Sequence, residues 1–232
     1  MRVVRGRRED VNADREVEAA LSAGVEATGE PALRVWTPHR QVAFGRRDAA
    51  SDGYDCARQA ARQRDYAVVE REVGGRAVAY TGSVVAFSYV VPNREGEGIG
   101  DRYDDTTNRL KRALRSLGAT VRDDEPDGAF CPGDHSLQGA GKIAGIAQRV
   151  RRETTTVGGC IVVRATDESA IADVLTPVYD ALDVPFDPES VGSVETAGGP
   201  GDPGAVVDAI ESAFVDERRV ERVAAEDVLR DV

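Results

Sequence analysis

Three segments of this chain combine residue types that can do chemistry. The first is Glu70-Arg71-Glu72-Val73-Gly74-Gly75-Arg76-Ala77-Val78-Ala79. Paired glycines after a β-branched stretch let the backbone approach a ligand closely, and their N–H groups can face a carboxylate or carbonyl oxygen. The same pair also suits a plain hairpin turn. The second segment is Cys131-Pro132-Gly133-Asp134-His135-Ser136-Leu137. A cysteine beside Pro-Gly sits on a bend, where its sulfur can reach an open site; the alternative is a small buried hydrophobe. His135 follows four residues later, but in a loop that spacing means little, and no third group orienting the histidine is identifiable. The third segment is Gly139-Ala140-Gly141-Lys142-Ile143-Ala144-Gly145-Ile146-Ala147-Gln148-Arg149. Only Lys111 and Lys142 are lysines; the other 28 basic residues are arginine. A compact ammonium differs from a planar guanidinium in reach, hydration and pKa adjustability. Lys142, held against that bias, is therefore the better functional candidate, with Lys111 reading as a surface residue of a helix.

Composition narrows the function classes. The 232 residues carry a net charge of -11, from 41 Asp and Glu against 30 Lys and Arg. An acidic surface repels phosphate backbones and anionic membranes, so neither nucleic acid nor a membrane is an expected partner. Acidic excess with scarce lysine looks like a protein of a high-salt cytoplasm; high-GC codon bias would also favour arginine. No run of apolar residues is long enough to span a bilayer, and the arginine-rich start lacks the apolar stretch of a signal peptide. Three cysteines, Cys56, Cys131 and Cys160, have no metal-type spacing and read as reduced thiols. Two histidines are too few for a histidine-based metal site.

The elements that hold these residues follow from hydrophobic periodicity and turn chemistry. A helix is expected over 12–28, with Asn12 or Asp14 as its N-cap. Leu33–Trp36 and Gln41–Phe44 flank Thr37-Pro38-His39-Arg40 and read as strand, turn, strand. Residues 55–64 read as a helix, and Tyr66–Glu70 and Ser83–Val91 as strands. A polar loop over 93–105 leads into a helix capped by Asp105 or Thr106 and stopped by Gly118. Lys142–Val150 and Thr154–Arg164 read as strands around the turn Arg151-Arg152. Helices are expected over 168–182 and 205–218. The intermixed order predicts an α/β (α+β) fold: a mixed β-sheet with helices packed on it. Residues 1–184 would form the main domain. Residues 185–232 would be a Pro- and Gly-rich linker with a helical tail.

Together the three segments resemble the biotin and lipoate protein ligase A/B superfamily, over roughly residues 30 to 166. Arg71 to Val78 fits its Arg-x-x-Gly-Gly-x-Ala-Val motif. Gly139 to Arg149 fits its lysine motif closely, and Arg34 to Asp48 looks like its opening hairpin. Phe130-Cys131-Pro132-Gly133 looks most like the octanoyl-carrier amidotransferase branch, which moves an octanoyl group between lipoyl-bearing proteins through a cysteine thioester. The resemblance implies Cys131 as the nucleophile. Lys142 would be the cation that lowers its pKa and holds the acyl carbonyl. Gly74 and Gly75 would orient the acyl group, and Val73, Ala77, Val78 and Ile143 would line a narrow slot. Arg71, Gly145 and Gln148 belong to the matched motifs and are expected at the substrate. Asp134 would be a remnant of the ligases' Asn-Asp pair. Arg76 stands where relatives have a small or apolar residue and would intrude on the acyl pocket. Implied partners are lipoyl-carrier proteins: a glycine-cleavage carrier protein or a 2-oxoacid dehydrogenase acyltransferase subunit. The transferase reading needs no cofactor. An ATP-dependent lipoate-protein ligase would use the same slot with ATP and Mg²⁺, form a lipoyl-adenylate, and leave Cys131 a bystander. A non-catalytic acyl or lipoyl-domain binding module is the third reading. Ala79-Tyr80-Thr81 stands where ligases carry His-Asp, and Val157-Gly158-Gly159 where His-Gly is found, which weighs against ATP use. A chain this acidic is expected to need salt to approach an equally acidic carrier.

Overall fold

The computed structural model describes residues 1–71, 75–93, 98–216 and 219–228. Eleven strands and six α-helices are defined among them. In chain order they are β1 (Arg2–Arg5), α1 (Val11–Thr28), β2 (Ala32–Trp36), β3 (Gln41–Phe44), α2 (Arg46–Ala49), α3 (Tyr54–Arg62), β4 (Ala67–Glu70), β5 (Val78–Tyr80) and β6 (Val85–Pro92). They continue with α4 (Ile99–Ser116), β7 (Arg122–Asp123), β8 (Ser136–Gln138), β9 (Lys142–Val150), β10 (Thr154–Ile161), α5 (Ala165–Ala181), α6 (Pro203–Val215) and β11 (Glu221–Ala224). One mixed sheet runs β11-β1-β2-β6-β10-β9-β8-β7, and a smaller sheet runs β4-β3-β5. The expected mixed sheet with packed helices is therefore present.

Strand periodicity sorts side chains to the two faces of the large sheet. Leu33, Val35, Phe87 and Tyr89 face α4 and α6, where they meet Leu110, Leu114, Ile210 and Phe214. Ala32 and Val90 face α1, where they meet Val17, Leu21 and Val25. The small sheet buries Val42 and Phe44 against α3 and α5 through Ala57, Ala61, Val174 and Val178. Burial of each such Leu, Val or Phe contributes about 1.5–3 kcal/mol. No helix among the described residues is long and apolar enough to cross a membrane.

Four expectations need correction. The N-cap of α1 is Asp10, whose carboxylate accepts from the N–H groups of Asn12 and Ala13; Asp14 is instead buried against Arg34. The strands β2 and β3 do not pair with each other. Both edges of β2 are taken by β1 and β6, so β3 pairs with β4 and β5. Helix α4 begins at Ile99, inside the expected loop, because Asp101 accepts from the Gly98 N–H at 2.9 Å and fixes the first turn. Residues 185–204 are not a free linker. Val191 pairs beside Lys142, and the Gly192 N–H donates to the Lys142 carbonyl at 3.0 Å. Val194 and Glu195 donate to Val162 and Val163. Beyond them α6 completes the large core, and β11 adds a parallel strand to β1.

Candidate active site

A cleft of about 920 Å³ opens between the two sheets. Its floor is one face of three neighbouring strands of the large sheet. Ala86 and Ser88 of β6 lie beside Cys160 and Gly158 of β10, which lie beside Gly145 and Ala147 of β9. All six side chains are small, and the space they leave is the cleft. Trp36 and α1 form one wall, and Gln41, Val78 and Tyr80 of the small sheet form another. The loop Phe130–Ser136 closes one end.

Cys131 stands at that end with a left-handed backbone, φ +43°. Three contacts over-determine this conformation. Its N–H donates to the Tyr179 hydroxyl at 2.6 Å, and that hydroxyl donates onward to the Ala77 carbonyl at 3.0 Å. Its carbonyl accepts from Lys142 Nζ at 2.9 Å. Its Sγ accepts from Arg71 Nη2 at 3.2 Å. The same Arg71 nitrogen donates to the Arg76 carbonyl at 2.6 Å. Burial works against the Arg71 charge, but Cys131, Tyr80 and Cys160 together outweigh it and hold the guanidinium pKa above its ordinary value.

Gly75 explains one glycine of the first motif. Its φ is +98°, and a Cβ there would lie 2.6 Å from Cys131 Sγ and 2.8 Å from Arg71 Nη2. Any side chain would part the thiol from its cation. A Cβ at Gly145 would sit 3.3 Å from Lys142 Cε, a tight contact to which the lysine chain would have to yield. Lys142 is fully buried. Its ammonium donates to Glu125 Oε1 at 2.9 Å and lies 5.2 Å above the Phe130 ring. The cation on the sulfur is thus Arg71, where Lys142 was expected; Lys142 clamps the backbone of the same cysteine. Its ionic partner Glu125 balances its charge, as a buried ammonium requires.

The other expected site residues divide. Val78, Asp134, Gly145 and Gln148 line the cleft, with Asp134 exposed at its mouth. Gln148 bridges to α4, donating to the Ile99 carbonyl at 2.8 Å and accepting from Arg102. Ala77 and Ile143 do not line it: both side chains are fully buried, Ala77 against α5 and Ile143 in the large core. Arg76 does not intrude; it pairs with buried Asp48 at 3.1 Å, which also accepts from the Gly45 N–H. Val73 and Gly74 lie outside the described residues. His135 stacks flat on Tyr103, with ring centroids 3.5 Å apart, and is committed there.

Sequence reasoning missed Glu125, Tyr179, Tyr80, Ser88 and Cys160. Burial pushes the Cys160 thiol up to about 11, and the neighbouring Cys131 adds to the shift. Burial likewise holds Tyr179 well above the usual phenol range. Arg71 Nε, Gln41 Oε1 and Ser88 Oγ are buried with no hydrogen-bond partner among the described residues, and all three side chains face the cleft. A mostly apolar cleft with a few convergent polar groups is the usual form of a small-molecule site.

Comparison with known proteins agrees with this architecture. The profile of the lipoyl protein ligase A/B catalytic domain matches residues 12–214. An octanoyl-[GcvH]:protein N-octanoyltransferase of Oceanobacillus iheyensis is 31% identical over 135 residues, covering 57% of this chain and 48% of that protein. A lipoyl-[GcvH]:protein N-lipoyltransferase of Listeria monocytogenes is 29% identical over 119 residues, covering 50% and 43%. The chain thus spans about half the length of these curated relatives. A lipoate-protein ligase A solved with ATP superposes with a TM-score of 0.78 at 19% identity, over 99% of this chain and 92% of that one. A bi-partite lipoate protein ligase of Thermoplasma acidophilum, from a study that included its E2 lipoyl domain, gives 0.70 at 18% identity, over 99% and 90%. The extent of the profile match, running through both sheets and the cleft between them, places this chain in the lipoyl protein ligase A/B catalytic domain family.

Proposed function

We propose that this protein transfers an octanoyl or lipoyl group to a specific lysine of a lipoyl-carrier domain through a thioester on Cys131. The observation that carries the reading is the Cys131 sulfur held against the Arg71 guanidinium, at the end of a cleft floored by small side chains. Cys131 Sγ bonds to the carbonyl carbon of a donor acyl-lysine; the donor's C–N bond breaks and its amine leaves with the proton that the Cys131 thiol gives up. The acceptor lysine's neutral amine then attacks the thioester carbon. The C–S bond breaks, the thiolate returns to Arg71, and the new amide nitrogen sheds its proton. Splitting one difficult exchange in this way is the advantage of covalent catalysis. Arg71 stabilises the thiolate as nucleophile and as leaving group. Transferring an octanoyl chain from water to the cleft supplies roughly 5 kcal/mol, at about 0.8 kcal/mol per buried CH₂.

The relatives named as octanoyl- and lipoyl-[GcvH] transferases support the donor: a glycine-cleavage-type carrier. The acceptor is a second lipoyl domain, such as that of a 2-oxoacid dehydrogenase acyltransferase subunit. No nucleotide or metal takes part in either step, and the setting is a salt-rich cytoplasm. Intact mass after mixing with an octanoylated carrier domain, without ATP, tests the reading. A hydroxylamine-labile octanoyl adduct is expected on the wild type and not on Cys131→Ala. No adduct, with transfer only when ATP and free acid are supplied, would overturn it in favour of a ligase.

A further inference from the structure

The family resemblance assigns the acyl carbonyl to Lys142, but the structure commits that lysine's donors elsewhere. Its fully buried ammonium donates to Glu125 Oε1 and to the Cys131 carbonyl, both at 2.9 Å, and stands 5.2 Å from the centre of the Phe130 ring. An ammonium has three N–H donors, and two oxygen acceptors with an aromatic face account for them. Acyl transfer through Cys131 still builds negative charge on the acyl oxygen, and that charge needs a donor.

Arg71 has donors left over. It follows β4 directly, and its backbone N–H donates to the Phe44 carbonyl at 2.9 Å, which ties it to the end of β3. Its side chain faces the cleft. Of the five N–H donors on the guanidinium plane, the two on Nη2 serve Cys131 Sγ at 3.2 Å and the Arg76 carbonyl at 2.6 Å. Nε is buried and has no hydrogen-bond partner among the described residues. A donor left in that state is costly until something accepts from it. Nε and Nη2 share one edge of the plane, and the N–H bonds along that edge run parallel. This is the fork by which arginine takes two acceptors at once. A thioester offers such a pair, because its sulfur and its carbonyl oxygen share one carbon. Gly75 leaves the edge uncovered: a Cβ there would lie 2.6 Å from Sγ and 2.8 Å from Nη2.

We propose that Arg71 is a two-point catalytic residue, holding the Cys131 sulfur through Nη2 and the acyl oxygen through Nε. The proposal rests on the acyl-transfer reading above and assigns the oxyanion donor of that reaction. As Sγ bonds to the acyl carbon, the C=O electron pair moves onto oxygen. As the tetrahedral intermediate collapses, that pair re-forms C=O, and the donor's leaving group departs with the proton of the thiol. Negative charge passes from sulfur to oxygen along one edge of a fixed cation, with no side chain having to move. The free enzyme engages one arm of the fork and the tetrahedral intermediate engages both, so the contact is stronger in the transition state than before it.

Two reactions of the same sulfur, followed on the full chain, separate the two arms. Alkylation by iodoacetamide needs a nucleophilic sulfur and develops no oxyanion. Acylation by S-octanoyl-N-acetylcysteamine needs the sulfur and the oxyanion donor together. In Arg71→Gln, acylation is expected to fall about a hundredfold further than alkylation, the usual loss when one oxyanion donor is removed. Arg71→Lys, which restores the charge without the fork, is expected to bring alkylation back toward the wild-type rate and leave acylation slow. Equal losses in the two reactions would overturn the proposal, since Arg71 would then act on the sulfur alone. Acylation recovered in Arg71→Lys would overturn it too, because a point charge would suffice. A wild type that forms no adduct would instead sink the transfer reading, and this role with it. If neither variant folds, isotope-edited infrared spectra of the octanoylated wild type decide. A carbonyl stretch below that of the same thioester in hexane is expected, and coincident bands would refute the Nε contact.

Discussion

Cys131 combines a sulfur held against a guanidinium with a backbone conformation that L-residues avoid, at φ +43°. A left-handed residue other than glycine costs roughly 1–2 kcal/mol. Removing the thiol therefore has two different outcomes. Cys131→Ala keeps the strain, and Cys131→Gly relieves it, so the glycine variant is expected to unfold at higher denaturant by about 1 kcal/mol. Equal midpoints in urea would show that the loop relaxes on its own. Arg71 gives a second expectation. Its Nη2 is the cationic donor to the sulfur, so Arg71→Gln should slow iodoacetamide alkylation of Cys131 at neutral pH by about tenfold. A matching rate would move the activation elsewhere. The sequence made Cys131, Lys142 and Gly75 legible because they sit in short motifs. It hid Tyr179 and Glu125 because their partners are fixed only by tertiary packing: Tyr179 meets Cys131 across 48 residues, and Glu125 meets Lys142 across 17. The motif also assigned the sulfur's cation wrongly. Arg71 and Lys142 both lie near Cys131, and only side-chain direction separates them.

The strands β6, β9 and β10 make the cleft by alternation. Ala86 and Ser88, Gly145 and Ala147, and Gly158 and Cys160 recur with period two and share one face. That pattern was readable in the sequence, yet a run of small residues inside apolar strands resembles ordinary core until neighbouring strands are aligned. Gly159 points the other way, and a Cβ there would lie 2.3 Å from the Gly145 carbonyl and 2.7 Å from the Phe87 ring. Gly159→Ala should therefore push β10 off β9, lowering stability by about 1–3 kcal/mol as overpacked sites do. An unchanged melting temperature would refute that close approach. The long strands were legible from β-branched runs, and β9 begins and ends where expected. The partner of β3 was not, because a four-residue turn reads the same whether its strands pair or part into two sheets. The segment after 184 was misread for a related reason. Pro and Gly mark irregular backbone, and irregular backbone can still be buried, as Val191 and Val194 are.

Charge and burial together set how the molecule responds to its medium. With a net charge of -11, self-repulsion weakens the compact state in dilute buffer. At molar salt the Debye length falls to about 3 Å and that repulsion is screened. The melting temperature is expected to climb from dilute to molar KCl; a flat profile would speak against adaptation to salt. Alkaline pH acts through Cys160. Its pKa rises from 9.0 to about 11 on folding, because burial disfavours the thiolate. Between those values the unfolded chain has lost a proton that the folded one keeps, so stability falls as pH rises. The full span of two units amounts to roughly 3 kcal/mol. Cys160→Ala should flatten the denaturation profile across that window, and an unchanged slope would assign the loss to the buried tyrosines.

The contact between Val191–Gly192 and the backbone of Lys142 also sets an order in time. A ribosome releases Arg71, Cys131 and Lys142 well before the segment that closes over the lysine strand. During synthesis the proposed nucleophile therefore emerges ahead of its finished cleft. A half-made chain holds a thiol but no completed cleft. Competence arrives late and all at once, when the last third of the chain locks onto the β9 strand.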